Sequence, residues 1–369
     1  MKEAITRRRF LTLSCLGIAG LAAGCSSSGG TYAPEGDGSG NRADRNPSLD
    51  RLENNVVSGG PGKDGIPPID DPKFVSAGEM DDLLQPEDRV FVLNYGGETK
   101  VYPQPVLVWH EIANDEVAGE KLSITYCPLT GSAIAFKGRA PGGEPLTFGT
   151  TGRLVNSNLL MYDRATDSEW PQILGRSISG ELRGSSLTAL PLVWTTWEQW
   201  KARGPDSPVL STDTGHFRRY GNDPYGSYSS ADKGYYENPD TFFEVLAESD
   251  RLDPKEVVLG IKSGRSRYAI SKRSVLRKGA WNLNLDGKRV VAFAEPDLET
   301  VWIFDRTLDG EELEFSPAGG RLVDQRGRSW KRESLTLSGP DGATLPAADF
   351  FEVMWFAWYA FYPETGLKS

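Results

Sequence analysis

The chain contains few of the side chains from which proteins usually build reactive or cross-linked sites. Its 369 residues include three cysteines, two histidines and four methionines. Cys15 and Cys25 fall in the N-terminal segment, so Cys127 is the one thiol of the remaining chain. A disulfide within that part is therefore excluded, although the compartments to which proteins are exported favour disulfides.

The chain also lacks an excess of positive charge. Its formal net charge is −10 at pH 7, which argues against a nucleic-acid partner and against binding to anionic lipid headgroups. The apolar stretch at residues 10–25, "FLTLSCLGIAGLAAGC", is shorter than the roughly 20 apolar residues that a transmembrane helix needs. We therefore interpret this stretch as the apolar part of an export signal.

The N-terminus has the pattern of a twin-arginine lipoprotein signal at residues 1–25. Arg7 and Arg8 precede Phe10 and Leu11, and "LAAGC" resembles a lipobox that ends at Cys25. Lipidation of Cys25 would supply the two or more acyl chains that stable anchoring requires, whereas ordinary cleavage would release the protein. We expect the export and lipoprotein-processing machineries as partners, and an extracytoplasmic protein anchored to the cell membrane by lipid. The sequence names no other protein partner.

The rest of the chain predicts a linker followed by two related repeats. Residues 26–68 are rich in Gly, Ser, Pro, Asp and Asn, which predicts a flexible linker. "GRLVN" at 152–156 recurs as "GRLVD" at 320–324, and other matches keep the same order. The pattern predicts a tandem duplication, with repeat 1 at 69–211 and a degenerate repeat 2 at 251–369. A Gly/Tyr-rich loop at 212–250 separates the two repeats.

Alternating apolar residues make strands the main expectation in each repeat. "RVFVLNYGGETKVYP" predicts a hairpin around Gly96 and Gly97, while "KLSITY" and "SAIAF" alternate with a period of two. "PVLVWHEIAND" at 105–115 predicts a short helix, and "TTWEQWKARG" predicts a helix that ends at Gly204. The expected fold is α+β, mainly antiparallel β, built as two tandem related repeats with short helices.

The candidate site of the first repeat lies around Cys127. On a helix over 105–115, His110 and Asn114 would share one face, and Glu111 and Asp115 would share the neighbouring face. The strand that follows would present Cys127 at its end. The second repeat has a glutamate at the position of Cys127, so the ionisable set belongs to the first repeat alone.

Three interpretations of Cys127 and His110 remain open. In the first, Cys127 is the nucleophile of a hydrolase or transferase, with His110 as its base and Asn114 or Asp115 orienting the imidazole. In the second, Cys127, His110 and Met161 ligate copper or another transition metal, supported by Glu111 or Asp115. In the third, Cys127 is a buried apolar residue and His110 a hydrogen-bonded histidine of the core.

A second polar cluster follows in "TTGRLVNSNLLMYDRATDSEW". Turns stabilised by Asn, Ser and Thr side chains, with one Asp–Arg pair, would account for most of it. Alternatively, these side chains would hydrogen-bond a small ligand together with Glu111. The candidate ligand-binding residues are Glu111, Asn156, Asn158, Asp163, Arg164 and Trp170.

Four further-reaching segments follow one another along the chain: "VYPQPVLVWHEIAND", "ITYCPLTGSA", "TTGRLVNSNLLMYDRATDSEW" and "YGNDPYGSY". Together they resemble an exported bacterial and archaeal family, domain of unknown function 3179, and the resemblance extends from Asp64 to the C-terminus. It implies an envelope protein or lipoprotein and no established activity. Many similar members carry a second cysteine where this chain has Thr130. We expect a binding protein of unknown ligand; the alternatives are the cysteine-dependent enzyme and a structural envelope lipoprotein.

Overall fold

The computed structural model describes residues 47–228 and 234–369 and shows mainly antiparallel sheets with short helices. The predicted fold class is therefore confirmed. We call residues 57–210 the first half and residues 257–368 the second half. The predicted signal at residues 1–25, including Cys25, lies outside the described residues. Across the ranges 47–228 and 234–369, no helix has both the length and the apolar character needed to cross a membrane.

The first half contains three sheets, whose strand orders are β12-β3-β4-β13-β2, β11-β7-β6-β5 and β1-β8-β9-β10. Its strands are β1 (Val57–Ser58), β2 (Phe74–Val75), β3 (Arg89–Tyr95), β4 (Glu98–Pro103), β5 (Ile112–Val117), β6 (Glu120–Cys127), β7 (Ser132–Lys137), β8 (Phe148–Val155), β9 (Asn158–Asp163), β10 (Glu169–Pro171), β11 (Thr188–Leu190), β12 (Val193–Thr196) and β13 (Val209–Leu210). The helices up to this point are α1 (Leu49–Glu53), α2 (Gln104–Leu107) and α3 (Trp197–Arg203).

The second half contains sheets of order β26-β14-β15-β27, β16-β17-β18 and β21-β22-β23-β24-β25, and the pair β19-β20. Its strands are β14 (Val257–Ser263), β15 (Ser266–Ser271), β16 (Ala280–Leu285), β17 (Lys288–Glu295), β18 (Thr300–Asp305), β19 (Thr307–Leu308), β20 (Glu311–Glu312), β21 (Phe315–Ala318), β22 (Arg321–Asp324), β23 (Ser329–Glu333), β24 (Thr336–Ser338), β25 (Thr344–Pro346), β26 (Phe350–Met354) and β27 (Gly366–Lys368). The helices α4 (Lys272–Lys278) and α5 (Trp355–Phe361) accompany them.

The two halves place corresponding elements in the same order. In each, a hairpin (β3–β4 or β14–β15) has an antiparallel strand on one side and a short parallel strand on the other. A helix follows each hairpin, and three antiparallel strands come next. Cys127 ends β6 and Glu295 ends β17, which occupy equivalent places in the two orders. That this likeness arose by duplication stays a prediction.

Two local predictions are confirmed by the hairpin β3–β4 and the helix α3. Gly96 and Gly97 have φ of 58° and 86°, the left-handed conformation that a tight two-residue hairpin turn requires at both positions. Helix α3 begins after Thr196, whose side chain accepts a hydrogen bond from the backbone N–H of Gln199. It ends before Gly204, as the sequence predicted.

The helix predicted over 105–115 is wrong. Helix α2 ends at Leu107, and β5 begins at Ile112 and pairs with β6 along its whole length. Glu111 has φ of 60°, outside the right-handed helical region, and therefore separates the turn from the strand. His110 and Asn114 consequently do not share a helix face. Pairing with the apolar strand β6 overrides the weak local helix preference.

The predicted linker at 26–68 ends earlier than expected. Helix α1 lies within it, and β1 pairs with β8 through Val57 and Leu154. The backbone N–H of Asp64 donates to the carbonyl oxygen of Thr150 at 2.8 Å. Residues 57–64 therefore belong to the folded part, because backbone groups among them are satisfied by the edge of β8.

Candidate functional site

Cys127 lies at the end of β6 and is 1% exposed. Its Sγ is 3.9 Å from the carbonyl oxygen of Ser157, which accepts its weak hydrogen bond. Burial and the nearby carboxylate of Glu111 raise the pKa of the Cys127 thiol. A thiol that stays protonated is a poor nucleophile and a poor metal ligand, because both roles need the thiolate.

His110 is fully buried and both of its ring nitrogens are occupied. Nδ1 lies 2.8 Å from the carbonyl oxygen of Pro67, and Nε2 lies 2.8 Å from the hydroxyl of Tyr220. Because a carbonyl oxygen only accepts, Nδ1 carries the proton and Nε2 accepts from Tyr220. Burial lowers the pKa of His110 to about 4, so the ring is neutral near pH 7. His110 therefore connects the loop that contains Tyr220 to the first half.

The residues proposed to orient His110 have other partners. Asn114 donates to the carboxylate of Asp70 at 2.8 Å and to the carbonyl oxygen of Phe148 at 2.9 Å. Asp115 accepts from Tyr102 at 2.6 Å and forms an ion pair with Lys100 at 3.0 Å. These contacts tie β5 to neighbouring strands, and none of them involves the imidazole.

The predicted metal ligands do not fit a transition-metal site. Met161 is buried in β9, where it pairs with Trp170 of β10. Cys127 stays protonated and both ring nitrogens of His110 are hydrogen-bonded, so neither side chain offers a free electron pair to a metal ion. Within residues 47–228 and 234–369, no group of three or more His, Cys, Asp or Glu side chains is placed to hold a metal ion.

A strained backbone surrounds Cys127. Asn156 and Ser157 form the turn between β8 and β9 with φ of 53° and 62°, and Glu111 also has a positive φ. Non-glycine residues hold this conformation only when surrounding contacts enforce it. Asn156 supplies such contacts, because its side chain donates to the carbonyl oxygen of Ala360 and accepts from the backbone N–H of Leu246. The turn therefore joins the first half to α5.

The buried polar network beside Cys127 was missed by sequence reasoning. The amide nitrogen of Gln172 donates to Thr125 at 2.9 Å, and its oxygen accepts from Ser132 at 2.6 Å and Asn158 at 3.0 Å. Asn158 also donates to Thr130 at 3.0 Å. All five side chains are buried and uncharged. Their donors and acceptors match one another, so this interior has the chemistry of a packed polar core.

The remaining predicted ligand-binding residues also make structural contacts. Trp170 donates from Nε1 to the carboxylate of Asp163 at 2.9 Å, and Thr166 donates to the same carboxylate. Arg164 pairs with Asp70 at 2.6 Å. The contacts of Asp163 are those of a polar turn, whereas the partner of Arg164 is Asp70, which lies outside this cluster.

A cavity of about 480 Å³ lies between the two halves. The first half contributes Phe136 of β7, Ala189 of β11 and Arg176 from the segment after β10, and the second half contributes Lys262 of β14 and Arg267 of β15. Ser186, Thr188, Asp349 and Tyr362 add further polar groups to its lining. Its volume is in the range of small-molecule sites. Sequence reasoning missed it, because its residues come from both halves and form no motif.

Lys262 is the titratable group of this cavity that departs most from ordinary behaviour. Its ammonium donates to the carbonyl oxygens of Ile173 at 2.7 Å and Leu174 at 2.8 Å. Burial and the neighbouring charge of Arg267 lower its pKa to about 7. Perturbed titratable groups in a concave site are typical of functional sites.

The matching family model is described as "Protein of unknown function (DUF3179)" and covers residues 63–365. The chain belongs to this family. The resemblance noted in the sequence is thereby confirmed. No curated protein matches the chain, and no solved structure matches it.

Proposed function

We propose that this protein binds a small molecule in the cavity between its two halves, and that it does so outside the cytoplasm, anchored by lipid on Cys25. The observation that carries the binding proposal is the cavity itself. Its volume of about 480 Å³ lies in the range of small-molecule sites, and its wall combines apolar side chains with charged and hydroxyl groups that can orient a ligand. Both halves line it, so a ligand would touch elements that are distant in sequence.

Binding is favoured over thiol chemistry because of where the reactive residues lie. Cys127 is buried with a raised pKa, and His110 is hydrogen-bonded on both nitrogens. Neither residue lines the cavity. A cysteine-dependent enzyme would need an accessible thiolate and a base within hydrogen-bond reach of it. The contacts of these two residues instead favour a structural role.

Filling the cavity tests the binding proposal. We would screen small aromatic and aliphatic carboxylates, alcohols and amides for stabilisation of the protein against heat, since a ligand that binds only the folded state raises Tm. Ala189→Phe places a ring in the cavity and should abolish the stabilisation, whereas Ala140→Phe, at a half-buried alanine that does not line the cavity, should retain it. Stabilisation that survives Ala189→Phe would contradict the proposed site.

The anchoring proposal rests on the twin-arginine pattern and on Cys25. Cys25→Ala removes the acceptor of the lipid while leaving the folded part unchanged. The variant should move from the membrane fraction to the soluble fraction, because the lipid supplies the stable attachment. Mass spectrometry of the N-terminal peptide should show acyl chains on Cys25 of the unmodified sequence. A membrane-bound Cys25→Ala protein would contradict this part of the proposal.

A further inference from the structure

We propose that the ligand of the cavity is a small organic anion, whose oxyanion group pairs with Lys262 and Arg176 while its apolar body packs against Phe136 and Tyr362. This inference rests on the proposed function, because it names the ligand class of the same cavity. It depends on the charge of the walls, on the placement of Lys262 and on the apolar surface.

The charges at the cavity wall have the opposite sign to the charge of the whole chain. Arg176, Lys262 and Arg267 line the cavity together with one carboxylate, Asp349. Their formal charges leave an excess of positive charge in a chain whose net charge is −10. A concave site lined by one sign of charge concentrates ions of the other sign. The cavity therefore favours an anion.

Lys262 is fixed in position and keeps a donor for a ligand. Two N–H groups of its ammonium are used by the carbonyl oxygens of Ile173 and Leu174. An ammonium has three N–H groups, so one remains. Since the two carbonyls hold the ammonium at the wall before a ligand arrives, an anion does not have to order a flexible side chain.

The apolar surface of the cavity favours an organic anion over a bare inorganic one. Half-buried Leu187 and Ala189 supply accessible apolar wall beside the rings of Phe136 and Tyr362, which are each 2% exposed. The guanidinium of Arg267 lies 5.5 Å from the ring centre of Tyr362, so charge and aromatic surface are adjacent. A phosphate ion would leave the apolar wall uncovered. An anion with an apolar body buries that wall as well, which adds favourable free energy.

The charge of Lys262 makes the affinity depend on pH. The groups that face it are Arg267 of β15, Asp349 before β26, Tyr362 after α5 and Arg176 after β10. Burial raises the pKa of Tyr362, which therefore stays neutral. With its pKa near 7, Lys262 is charged at pH 6 and largely neutral at pH 8. Binding through the charged form predicts an affinity about ten-fold higher at pH 6.

The probes are benzoate, its neutral analogue benzyl alcohol, and inorganic phosphate, measured by calorimetry at pH 6 and pH 8. Benzoate should bind, and the other two should bind at least about ten-fold more weakly. Lys262→Gln and Arg176→Gln should each weaken benzoate binding about ten-fold, and Lys262→Gln should remove its pH dependence. Lys255→Gln is the matched control, because Lys255 is another lysine with a lowered pKa, about 8, but lies outside the cavity.

The outcomes separate this inference from the proposed function. If benzyl alcohol binds as tightly as benzoate and Ala189→Phe abolishes the binding of both, the ligand need not be an anion. That result would overturn the proposal that the ligand is an anion but would leave the proposed binding function intact. If phosphate binds more tightly than benzoate, the proposal that the ligand has an apolar body is wrong. No binding of any probe or screened compound would overturn both proposals. Arg176→Gln keeps the test valid if Lys262→Gln fails to fold, since Arg176 does not carry the two carbonyl contacts.

Discussion

The interior around Cys127 and the cavity around Lys262 differ in how their polar groups are satisfied. Beside Cys127, the side chains of Gln172 and Asn158 pair with buried hydroxyls, and every member of the network is uncharged. Around Lys262, three cationic side chains line the cavity together with one carboxylate. The polar groups of the first region are therefore satisfied by one another, whereas those of the second region carry net positive charge at the wall of a cavity.

A rare residue type therefore does not by itself mark a functional site. Cys127 and His110 attract attention because the chain has so few thiols and imidazoles. Both lie where contacts within the protein occupy them. Lys262 and Arg176 are common residue types, but the fold places them at the wall of the cavity.

Alkylation of Cys127 should be strongly suppressed in the folded protein. In the variant with Cys15→Ser and Cys25→Ser, Cys127 is the only thiol. Its reaction with iodoacetamide should be slower than in the urea-unfolded protein by about three orders of magnitude or more, because reaction requires opening of the core. Mass spectrometry over time measures the rate. Rapid alkylation under native conditions would show an accessible thiol and reverse the contrast.

Gln172→Leu should destabilise the fold by about 3 kcal/mol, since it removes the amide to which Thr125, Ser132 and Asn158 are bonded. Urea unfolding measures the change in the free energy of unfolding. The control is Gln85→Leu at an exposed glutamine, for which we expect a change within about 0.5 kcal/mol. Equal effects of the two substitutions would mean that the network does not stabilise the interior.

Lys262→Gln should change how stability depends on pH. The folded pKa of about 7 lies below the unfolded value of 10.5, so between these values the unfolded state binds more protons. Lys262 therefore makes stability rise with pH in this window, by at most about 1.4 kcal/mol per pH unit. Urea unfolding at pH 7.5, 8.5 and 9.5 should give a smaller slope for Lys262→Gln than for the unsubstituted protein. Equal slopes would contradict the burial of a charged Lys262.

The turn and the helix whose sequence signals are local could be predicted from the sequence. The turn at Gly96 and Gly97 and the helix before Gly204 follow from backbone preferences that the residues carry themselves. The segment after Leu107 could not be predicted, because pairing with β6 decides its conformation. Neither could the early start of the folded part, since the edge of β8 supplies the hydrogen bonds that order β1.

The candidate site shows the same division. The sequence identified Cys127 as the one thiol but could not show that Glu111 and Ser157 enclose it. The cavity depends on residues nearly a hundred positions apart, such as Leu174 and Lys262, and no local pattern joins them. The sequence contains the cationic residues Arg176 and Lys262, but only the packing of the two halves brings them to the wall of one cavity.

The central claim is that the cavity, and not Cys127, is the functional site. Calorimetric titration of benzoate at pH 6 into Cys127→Ala and Lys262→Gln tests it most directly. We expect Cys127→Ala to bind benzoate within about two-fold of the unsubstituted protein, because the thiol does not line the cavity, and Lys262→Gln to lose about ten-fold in affinity. Loss of binding in Cys127→Ala with full binding in Lys262→Gln would contradict it.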